Sequence, residues 1–249
     1  MKISVAIITK NEEEMLGQTL LAVQDLADEI VIVDSYSTDK TKDIAESFGA
    51  RFYEKKWEGF SAQKNYLIDQ CEGDWILLID ADEVLSHELI AETKQAIKDD
   101  THQIYEFMFH SYCYGKLVRF GGWSGFYKIR LFKNGVARFG SERVHEKFIY
   151  DPKLSVGRLK SPLQHYTYLS MDETIDKMNS YSTASSLDAF SKQKKSSILK
   201  IIFSPLLMFL KAYIIKGGFL DGFRGFILAI VNAIYHFLKY SKLYLLNEK

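Results

Sequence analysis

Residues 73–83 read GDWILLIDADE, an apolar run of five residues followed by an acidic segment. A short continuous apolar run is typical of a β-strand that is covered on both faces of a parallel sheet. The carboxylates of Asp80, Asp82 and Glu83 repel one another at the end of such a strand, and a fold tolerates this cost only with a compensating cation. Oxygen ligands of this kind suit Mg²⁺ or Mn²⁺ bound together with phosphates. The alternative is a solvated acidic turn.

The same arrangement, an apolar strand followed by a polar residue, recurs in the first hundred residues. Residues 3–8 form an apolar run that ends at Thr9, and residues 30–33 form one that ends at Asp34. Apolar residues at helical spacing lie between the runs, so the order βαβαβαβ is predicted, which is typical of a doubly wound, mostly parallel α/β sheet. Ligands bind at the carboxyl ends of the strands in such sheets. Thr9, Asp34 and Asp80 are therefore predicted to face one binding site.

Capping residues refine the helix boundaries in this region. Asn11 is predicted to cap the first helix, with the three glutamates of residues 12–14 in its first turn. Gly49 is placed to end the second helix, and Ser86 to cap a helix that runs through Ile97.

Beyond residue 102 the pattern changes. Residues 103–114 and 126–132 are predicted strands, separated by a bend at Gly121-Gly122. Asn134-Gly135 is a hairpin signal, and residues 172–192 are typical of an amphipathic helix.

Bulk properties exclude several classes of protein. The chain has 249 residues, is 47% hydrophobic and carries 32 basic and 32 acidic residues. This composition supports a packed core rather than disorder, and the balanced charge argues against a nucleic-acid partner. Cys71 and Cys113 lie in no CxxC or Cys/His cluster, so the sequence offers no zinc or redox motif.

The last fifty residues are apolar but interrupted. Residues 198–215 contain Lys200 and Lys211, and residues 226–238 contain Asn232. Neither stretch supplies the roughly 20 uninterrupted apolar residues of a spanning helix. Helices that lie in the bilayer interface, where lysines meet anionic lipid, are expected. The alternative is a helical hairpin packed on the domain or on a second subunit, so an oligomer is possible.

Three segments together resemble the family-2 glycosyltransferases of GT-A fold, namely VAIITKNEE at 5–13, IVIVDS at 30–35 and GDWILLIDADE with its Asp-x-Asp motif at 73–83. VHE at 144–146 and the pair His165-Tyr166 extend the resemblance. Together with GGFLDG at 217–222, these are similar to the bacterial branch that decorates lipopolysaccharide core and related surface glycans.

The resemblance implies a domain plan and an activity. It implies a GT-A catalytic domain over residues 1–170, with a nucleotide-binding half at 1–100 and an acceptor half at 101–170, and a helical extension at 171–249. The implied enzyme is an inverting transferase that uses a nucleotide-diphosphate sugar, with UDP-hexose expected. Its acceptor would be a hydroxyl of a lipid-linked or lipopolysaccharide-core glycan. It would be cytoplasmic and peripheral on the inner membrane.

The resemblance also implies residue roles. Thr9, Glu13 and Asp34 would hold the nucleoside, and Asp80 would approach the ribose or the metal. Asp82 would be the direct ligand of Mg²⁺ or Mn²⁺, with His165 as a further metal ligand.

Other roles concern the leaving group and the acceptor. Lys64 and Arg130 are candidates to neutralise the charge that grows on the departing diphosphate. Glu146 would accept the acceptor's proton. The chain has His145-Glu146 where a Glu-Asp pair is common, so either residue could be the base. The loop at 121–123 matches the Gly-rich loop that the family usually places near the acceptor.

Two other classes of function fit less well. A nucleotidyltransferase is expected to carry a Gly-rich phosphate loop after the first strand, and residues 9–12 contain no glycine. A non-catalytic nucleotide-binding protein would not need to retain Asp80, Asp82 and Glu146. Within the transferases, the alternative acceptor is polyprenyl phosphate, which is already an anion and needs no strong base.

Overall fold

The computed structural model of the protein describes residues 1–140 and 147–248. The strands are β1 Ile3–Thr9, β2 Glu29–Asp34, β3 Arg51–Glu54, β4 Trp75–Asp80, β5 Glu83–Val84, β6 Ile104–Cys113, β7 Lys116–Val118, β8 Tyr127–Lys133, β9 Arg138–Phe139, β10 Phe148–Ile149 and β11 Val156–Tyr168. The α-helices are α1 Leu16–Val23, α2 Thr41–Ser47, α3 Phe60–Asp69, α4 His87–Asp99, α5 Met171–Ser191, α6 Ile198–Leu210 and α7 Gly222–Asn247. A π-helical turn at Lys211–Ile215 and a 3-10 turn at Gly218–Asp221 join α6 to α7.

The main sheet has the strand order β3-β2-β1-β4-β8-β6-β11-β5, with β7 paired to β6. Its first four strands are parallel, as predicted for a βαβ series. The neighbours β4–β8, β8–β6 and β11–β5 are antiparallel, so the sheet is mixed. The parallel register sets Thr9 opposite Asp34 and Ile8 opposite Asp80. The carboxyl ends of β1, β2 and β4 therefore meet at one edge.

The core lies on both faces of the parallel strands. All five apolar residues of β4, Trp75 to Ile79, have no exposed surface, and Ile7 of β1 and Val31 of β2 are equally buried. A strand that is covered on both sides needs apolar residues at every position, which accounts for the unbroken runs in the sequence. The polar residue that follows each apolar run lies where the strand is no longer buried on both faces.

Two of the three predicted helix boundaries agree with the structure. Ser86 Oγ accepts a hydrogen bond from Leu89 N at 3.2 Å and caps α4. Gly49 follows α2 with a φ of +69°. The prediction for Asn11 is wrong: its φ is +55°, and its Oδ1 accepts from Thr38 N at 2.9 Å. Its side chain ties two loops together, so α1 begins later.

Asn134-Gly135 forms a turn after β8, with Gly135 at a φ of +81°. The predicted hairpin is wrong in its pairing, because the strand that follows, β9, pairs with β10. Asn134 Nδ2 instead donates to the carbonyls of Cys71 and Gly73 at 3.2 and 3.1 Å.

The chain divides into two compact units. One comprises Met1–Phe109 and Tyr127–His165, and the other comprises His110–Phe126 and Tyr166–Lys249. Strands β6 and β11 contribute residues to both units. In the second unit, α7 packs against both α5 and α6.

The GGFLDG segment at 217–222 organises the second unit. The Asp221 carboxylate accepts hydrogen bonds from Arg119 N at 3.1 Å and from Phe120 N at 2.8 Å. Arg224 Nη2 donates to the Tyr114 carbonyl at 3.1 Å. A Cβ added to Gly225 would lie 1.8 Å from the Gly218 carbonyl oxygen. The glycines permit this close backbone approach, and Asp221 holds the start of the Gly-rich loop.

We expect Gly73→Ala to destabilise the protein by about 1–3 kcal/mol, as overpacking does in a tight site. A Cβ at Gly73 would lie 2.6 Å from Ser4 Oγ and 2.7 Å from Ser4 N, so backbone must move. Gly17→Ala in α1 is the matched control, because its Cβ would meet only Ile44 Cγ2 at 3.8 Å. The control should be neutral or stabilising. The measurement is thermal unfolding, and equal melting temperatures for the two variants would contradict the packing argument.

Candidate active site

The ends of β1 and β2 form a buried polar pair. Thr9 Oγ1 donates to Asp34 Oδ1 at 2.7 Å, and Asp34 is 1% exposed. Asp34 also accepts from Ser37 N and from Ser37 Oγ, both at 2.6 Å. The predicted neighbours Thr9 and Asp34 are thus brought together, with the carboxylate held by three donors. Glu13 lies in the adjoining loop, where its Oε2 accepts from Lys40 N at 3.0 Å.

An ionic network closes the end of β4. Arg130 Nη2 lies 2.8 Å from Asp80 Oδ2, and Lys64 Nζ lies 3.5 Å from Asp80 Oδ1. Arg130 also donates through Nε, at 2.8 Å, and through Nη2 to the carboxylate of Glu83, which has no exposed surface. Glu83 in turn accepts from Asp80 N at 3.1 Å. The Asp-x-Asp segment is therefore fastened to β8 and α3.

These cations set the charge state of Asp80. Burial by itself raises the pKa of Asp80, but Lys64, Arg130 and Lys128 hold that pKa far below its ordinary range. Asp80 is an anion at any working pH. The expectation that a metal must compensate the acidic cluster is weakened, since the protein supplies cations for Asp80 and Glu83 itself. Charge balance alone does not require a metal here.

Asp82 and His165 form a separate pair beside this network. Antiparallel pairing of β11 with β5 sets His165 opposite Glu83, and His165 Nε2 lies 3.5 Å from Asp82 Oδ2. Burial lowers the pKa of His165, but the hydrogen bond and charge of Asp82 outweigh burial and raise it above its ordinary value. Thr19 Oγ1 fixes the intervening segment by donating to the Ala81 carbonyl at 2.6 Å.

The Asp82–His165 pair fits a Mg²⁺ or Mn²⁺ ion with an incomplete protein coordination shell. Among residues 1–140 and 147–248, no group of three or more His, Cys, Asp or Glu side chains is placed to hold an ion. A carboxylate and an imidazole would supply two ligands, and phosphate oxygens and water would supply the rest. Of these two ligands the carboxylate is the one that Mg²⁺ or Mn²⁺ prefers, since magnesium commonly binds through one or two carboxylates plus substrate phosphates.

Lys128 is a further charged residue of the site that the motifs did not single out. It lies two residues before Arg130 on β8, and its Nζ stands 5.2 Å from the centre of the Phe109 ring. Its charge also favours the ionised form of Asp80. The alternation of Lys128 and Arg130 on a predicted strand was the available signal, because residues two apart share one face.

The remaining predicted residues fall elsewhere. Glu146 and His145 lie outside the described residues. The loop at 121–123 belongs to the second unit, where Trp123 packs edge-on against Tyr168 with ring centres 5.7 Å apart. Trp57 is 44% exposed and packs edge-on against Phe60.

Comparison with known proteins decides the family. The profile described as "Glycosyl transferase family 2" matches residues 4–143, more than half of the chain. The chain belongs to glycosyl transferase family 2. The predicted GT-A fold and the predicted glycosyltransferase activity are thereby confirmed.

Relatives extend over nearly the whole chain. An uncharacterized glycosyltransferase of Rickettsia typhi is 32% identical over 262 residues, which cover 100% of this chain and 88% of the relative. The lipopolysaccharide core biosynthesis glycosyltransferase LpsC of Rhizobium meliloti is 34% identical over 252 residues, covering 97% and 92%. Among solved structures, S. aureus TarS 1-349 is 15% identical with a TM-score of 0.49, covering 100% of this chain and 90% of that one.

In this glycosyltransferase, Arg130→Met should lower the free energy of unfolding by about 3–5 kcal/mol, because Glu83 is left as an unpaired buried charge. Lys133→Met is the control: its ion pair with Asp100 is solvent-exposed, and its loss should cost under about 1 kcal/mol. Adding Glu83→Leu to Arg130→Met should recover most of the loss, since the fully buried carboxylate that Arg130 neutralised is removed with it. Urea unfolding measures all three. An Arg130→Met variant as stable as the parent would refute the assigned role of this pair.

Proposed function

We propose that the enzyme transfers a hexose, with inversion, from a nucleotide-diphosphate sugar such as UDP-hexose to a hydroxyl of a lipid-linked or lipopolysaccharide-core glycan. The proposal is based on one observation: two polar groups of residues lie at the same edge of the sheet. The Thr9–Asp34 pair lies at the ends of β1 and β2, and the Asp80–Asp82 segment follows the adjacent β4. The 34% identity to LpsC over nearly the whole chain supports the choice of acceptor.

The nucleoside is held by Asp34, Thr9 and Glu13. A carboxylate offers about four acceptor positions. Thr9 and Ser37 occupy three of those of Asp34, so one remains for a ribose hydroxyl or a base N–H. Since three donors fix the carboxylate, it does not have to reorganise when the donor sugar nucleotide binds.

The diphosphate lies beside the Asp-x-Asp segment. Asp82 and His165 would hold Mg²⁺ or Mn²⁺ when the ion is bound, and Asp80, positioned by Arg130 and Lys64, would contact the ribose or the metal. The ion neutralises charge on the diphosphate when it is bound. Lys64, Arg130 and Lys128 add fixed positive charge at the same place, which stabilises the negative charge that develops as the nucleoside diphosphate leaves.

Glu146 accepts the proton of the acceptor hydroxyl as its oxygen attacks the anomeric carbon from the face opposite the diphosphate. This geometry inverts the anomeric configuration. His145 is the second candidate for the base.

The enzyme works as a peripheral protein on the cytoplasmic face of the inner membrane, where a lipid-borne acceptor is presented. The helical stretches Ile198–Ile215 and Gly218–Asn247 are long and apolar enough to cross a membrane by length and composition, contrary to the expectation from their interrupted apolar runs. The lysines within them and the largely unburied apolar surface of Ile198–Ile215 support the peripheral location proposed here.

Asp82→Ala should abolish transfer, and chelation with EDTA should have the same effect on the parent enzyme, because the diphosphate charge is then poorly neutralised. The control is Asp69→Ala, which removes an exposed carboxylate that pairs with Arg138 at the surface. The assay is release of nucleoside diphosphate from a panel of nucleotide sugars, with and without acceptor. Full activity in EDTA would show that the metal assignment is wrong.

Glu146→Gln should reduce transfer by about 10²- to 10⁴-fold, because the amide cannot accept the proton. Binding of the donor, measured by calorimetry, should be unchanged. His145→Ala is the paired variant: if it is inactive while Glu146→Gln turns over normally, His145 is the base. If neither variant loses activity, an acceptor that is already ionised, such as polyprenyl phosphate, replaces the glycan hydroxyl in the proposal.

A further inference from the structure

One half of the α6 surface is apolar and exposed. None of the residues of α6, all of which the structure describes, is buried. The exposed side chains include Ile198, Leu199, Ile202, Phe203, Leu206 and Leu207. At 100° per residue, this spacing covers about half of the helix circumference. A soluble monomer rarely exposes a continuous apolar surface of this extent.

The exposed apolar surface continues through the connection to α7. Ile215 is 79% exposed and Phe223 is 74% exposed, with Phe219 and Leu220 also exposed between them. We call α6 together with residues 211–223 the apolar hairpin. The side chains of Ile215, Phe219, Leu220 and Phe223 carry no polar group that would favour water.

Charge accompanies this surface. Residues 192–249 contain ten Lys and Arg but only two Asp and Glu, although the whole chain has 32 of each. The segment thus carries a formal charge of +8, balanced by −8 in the rest of the chain. Lys200 and Lys211 are eleven residues apart, about three turns, and so border the same edge of the apolar face. An apolar face edged by lysines complements an anionic lipid surface.

A groove between α6 and α7 lies within this surface. It is a shallow groove of about 340 Å³, open to solvent, and the side chains that line it are apolar: Ile201, Ile202, Pro205, Ala233, Ile234 and Phe237. No polar side chain in this lining could orient a sugar, a nucleotide or a peptide backbone. A hydrocarbon chain is the ligand that such a groove fits, because every contact it makes is apolar.

Polar packing limits how deep the helices can lie. Lys242 Nζ, near the end of α7, donates to Asn179 Oδ1 at 2.7 Å and to Ser182 Oγ at 2.8 Å on α5. Tyr235 on α7 is hydrogen-bonded to Ser185 on α5 at 2.7 Å. Charged residues lie in the first two turns of α5 and at Asp188 near its end, so both ends of that helix stay in water and hold the second half of α7 near the surface. The length and apolar composition of α7 would allow it to span a membrane. Its hydrogen bonds to α5, a helix with charged residues, prevent this.

We propose that the apolar hairpin inserts into a single leaflet of an anionic membrane, with one phospholipid acyl chain in the α6–α7 groove. The lysines at its edge contact the lipid phosphates, and α5 with the second half of α7 remains outside the hydrocarbon. The proposal rests on the membrane location proposed above and names the lipid partner and the depth of insertion.

The first test is flotation of the full-length protein with vesicles of phosphatidylcholine alone or mixed with phosphatidylglycerol. The protein should float with both and more strongly with the anionic vesicles. Leu199→Glu/Leu206→Glu should weaken binding by at least about tenfold, since two apolar side chains become charged. The matched control is Leu21→Glu/Leu187→Glu, which changes equally exposed leucines on α1 and α5 and should bind normally.

The electrostatic contribution is tested separately. Lys200→Gln and Lys211→Gln should each reduce binding to the anionic vesicles by about fivefold and leave binding to neutral vesicles unchanged. Equal losses on both kinds of vesicle would refute contact with lipid phosphate.

Depth and groove occupancy need two probes. In Ile234→Trp, which changes a groove residue in the first half of α7, lipids brominated on the acyl chain should quench the added fluorescence more than lipids brominated at the headgroup; the reverse order would overturn the groove assignment. In Leu220→Cys, an impermeant maleimide trapped inside the vesicles should not label the hairpin. Labelling from inside would show that the hairpin spans the bilayer.

Metal-dependent hydrolysis of the donor, measured on the same samples, distinguishes the membrane proposal from the proposed transferase function. The Leu199→Glu/Leu206→Glu variant should hydrolyse donor normally in solution. If the parent hydrolyses donor but stays unbound to both vesicles and forms a dimer by light scattering, the apolar hairpin is a subunit contact and the membrane proposal fails. Absent hydrolysis with intact flotation would instead count against the proposed transferase chemistry.

Discussion

The ion pair between Arg130 and Glu83 constrains the unit that contains the parallel strands. Glu83 has no exposed surface, and Arg130 is 4% exposed, so neither charge could remain where it is without the other. Through its second contact, to Asp80, the same guanidinium fixes the end of β4. The Asp-x-Asp segment is thus tied to β8, its antiparallel neighbour in the sheet. The junction of the parallel and antiparallel halves of the sheet is where the charged site lies.

The acidic residues of the Asp-x-Asp segment have two different kinds of partner. Asp80 and Glu83 are neutralised by side chains of the protein. Asp82 has a different neighbour, His165, from the strand that pairs with β5. The three carboxylates are close together in the chain, but within residues 1–140 and 147–248 only Asp82 is paired with a histidine, a common metal ligand. The case for a metal therefore rests on the Asp82–His165 pair and not on the number of acids.

The second unit has a different organising contact. The Asp221 carboxylate binds two backbone amides at the start of the Gly-rich loop, and Arg224 binds the Tyr114 carbonyl one turn later. Both residues lie at the start of α7, next to the apolar hairpin. The GGFLDG segment at 217–222 is thus defined by its backbone contacts. Glycine is needed at Gly218 and Gly225 because the backbone at these two positions comes close together. The loop and the hairpin are parts of one packed structure.

The sequence by itself determined the parallel strands, the edge at which Thr9, Asp34 and Asp80 meet, and the apolar character of the last fifty residues. These follow from local patterns, because a strand buried on both faces must be apolar throughout and its end must be marked by polarity. Only the tertiary structure decided that Arg130 neutralises Glu83, that His165 stands beside Asp82, that Lys128 joins the site, and that Asn11 ties loops instead of capping α1. Each of these depends on antiparallel pairing or loop contacts between residues about 25 to 85 positions apart. A local pattern carries no information on such pairing, because the partners are selected by packing and charge in the folded chain.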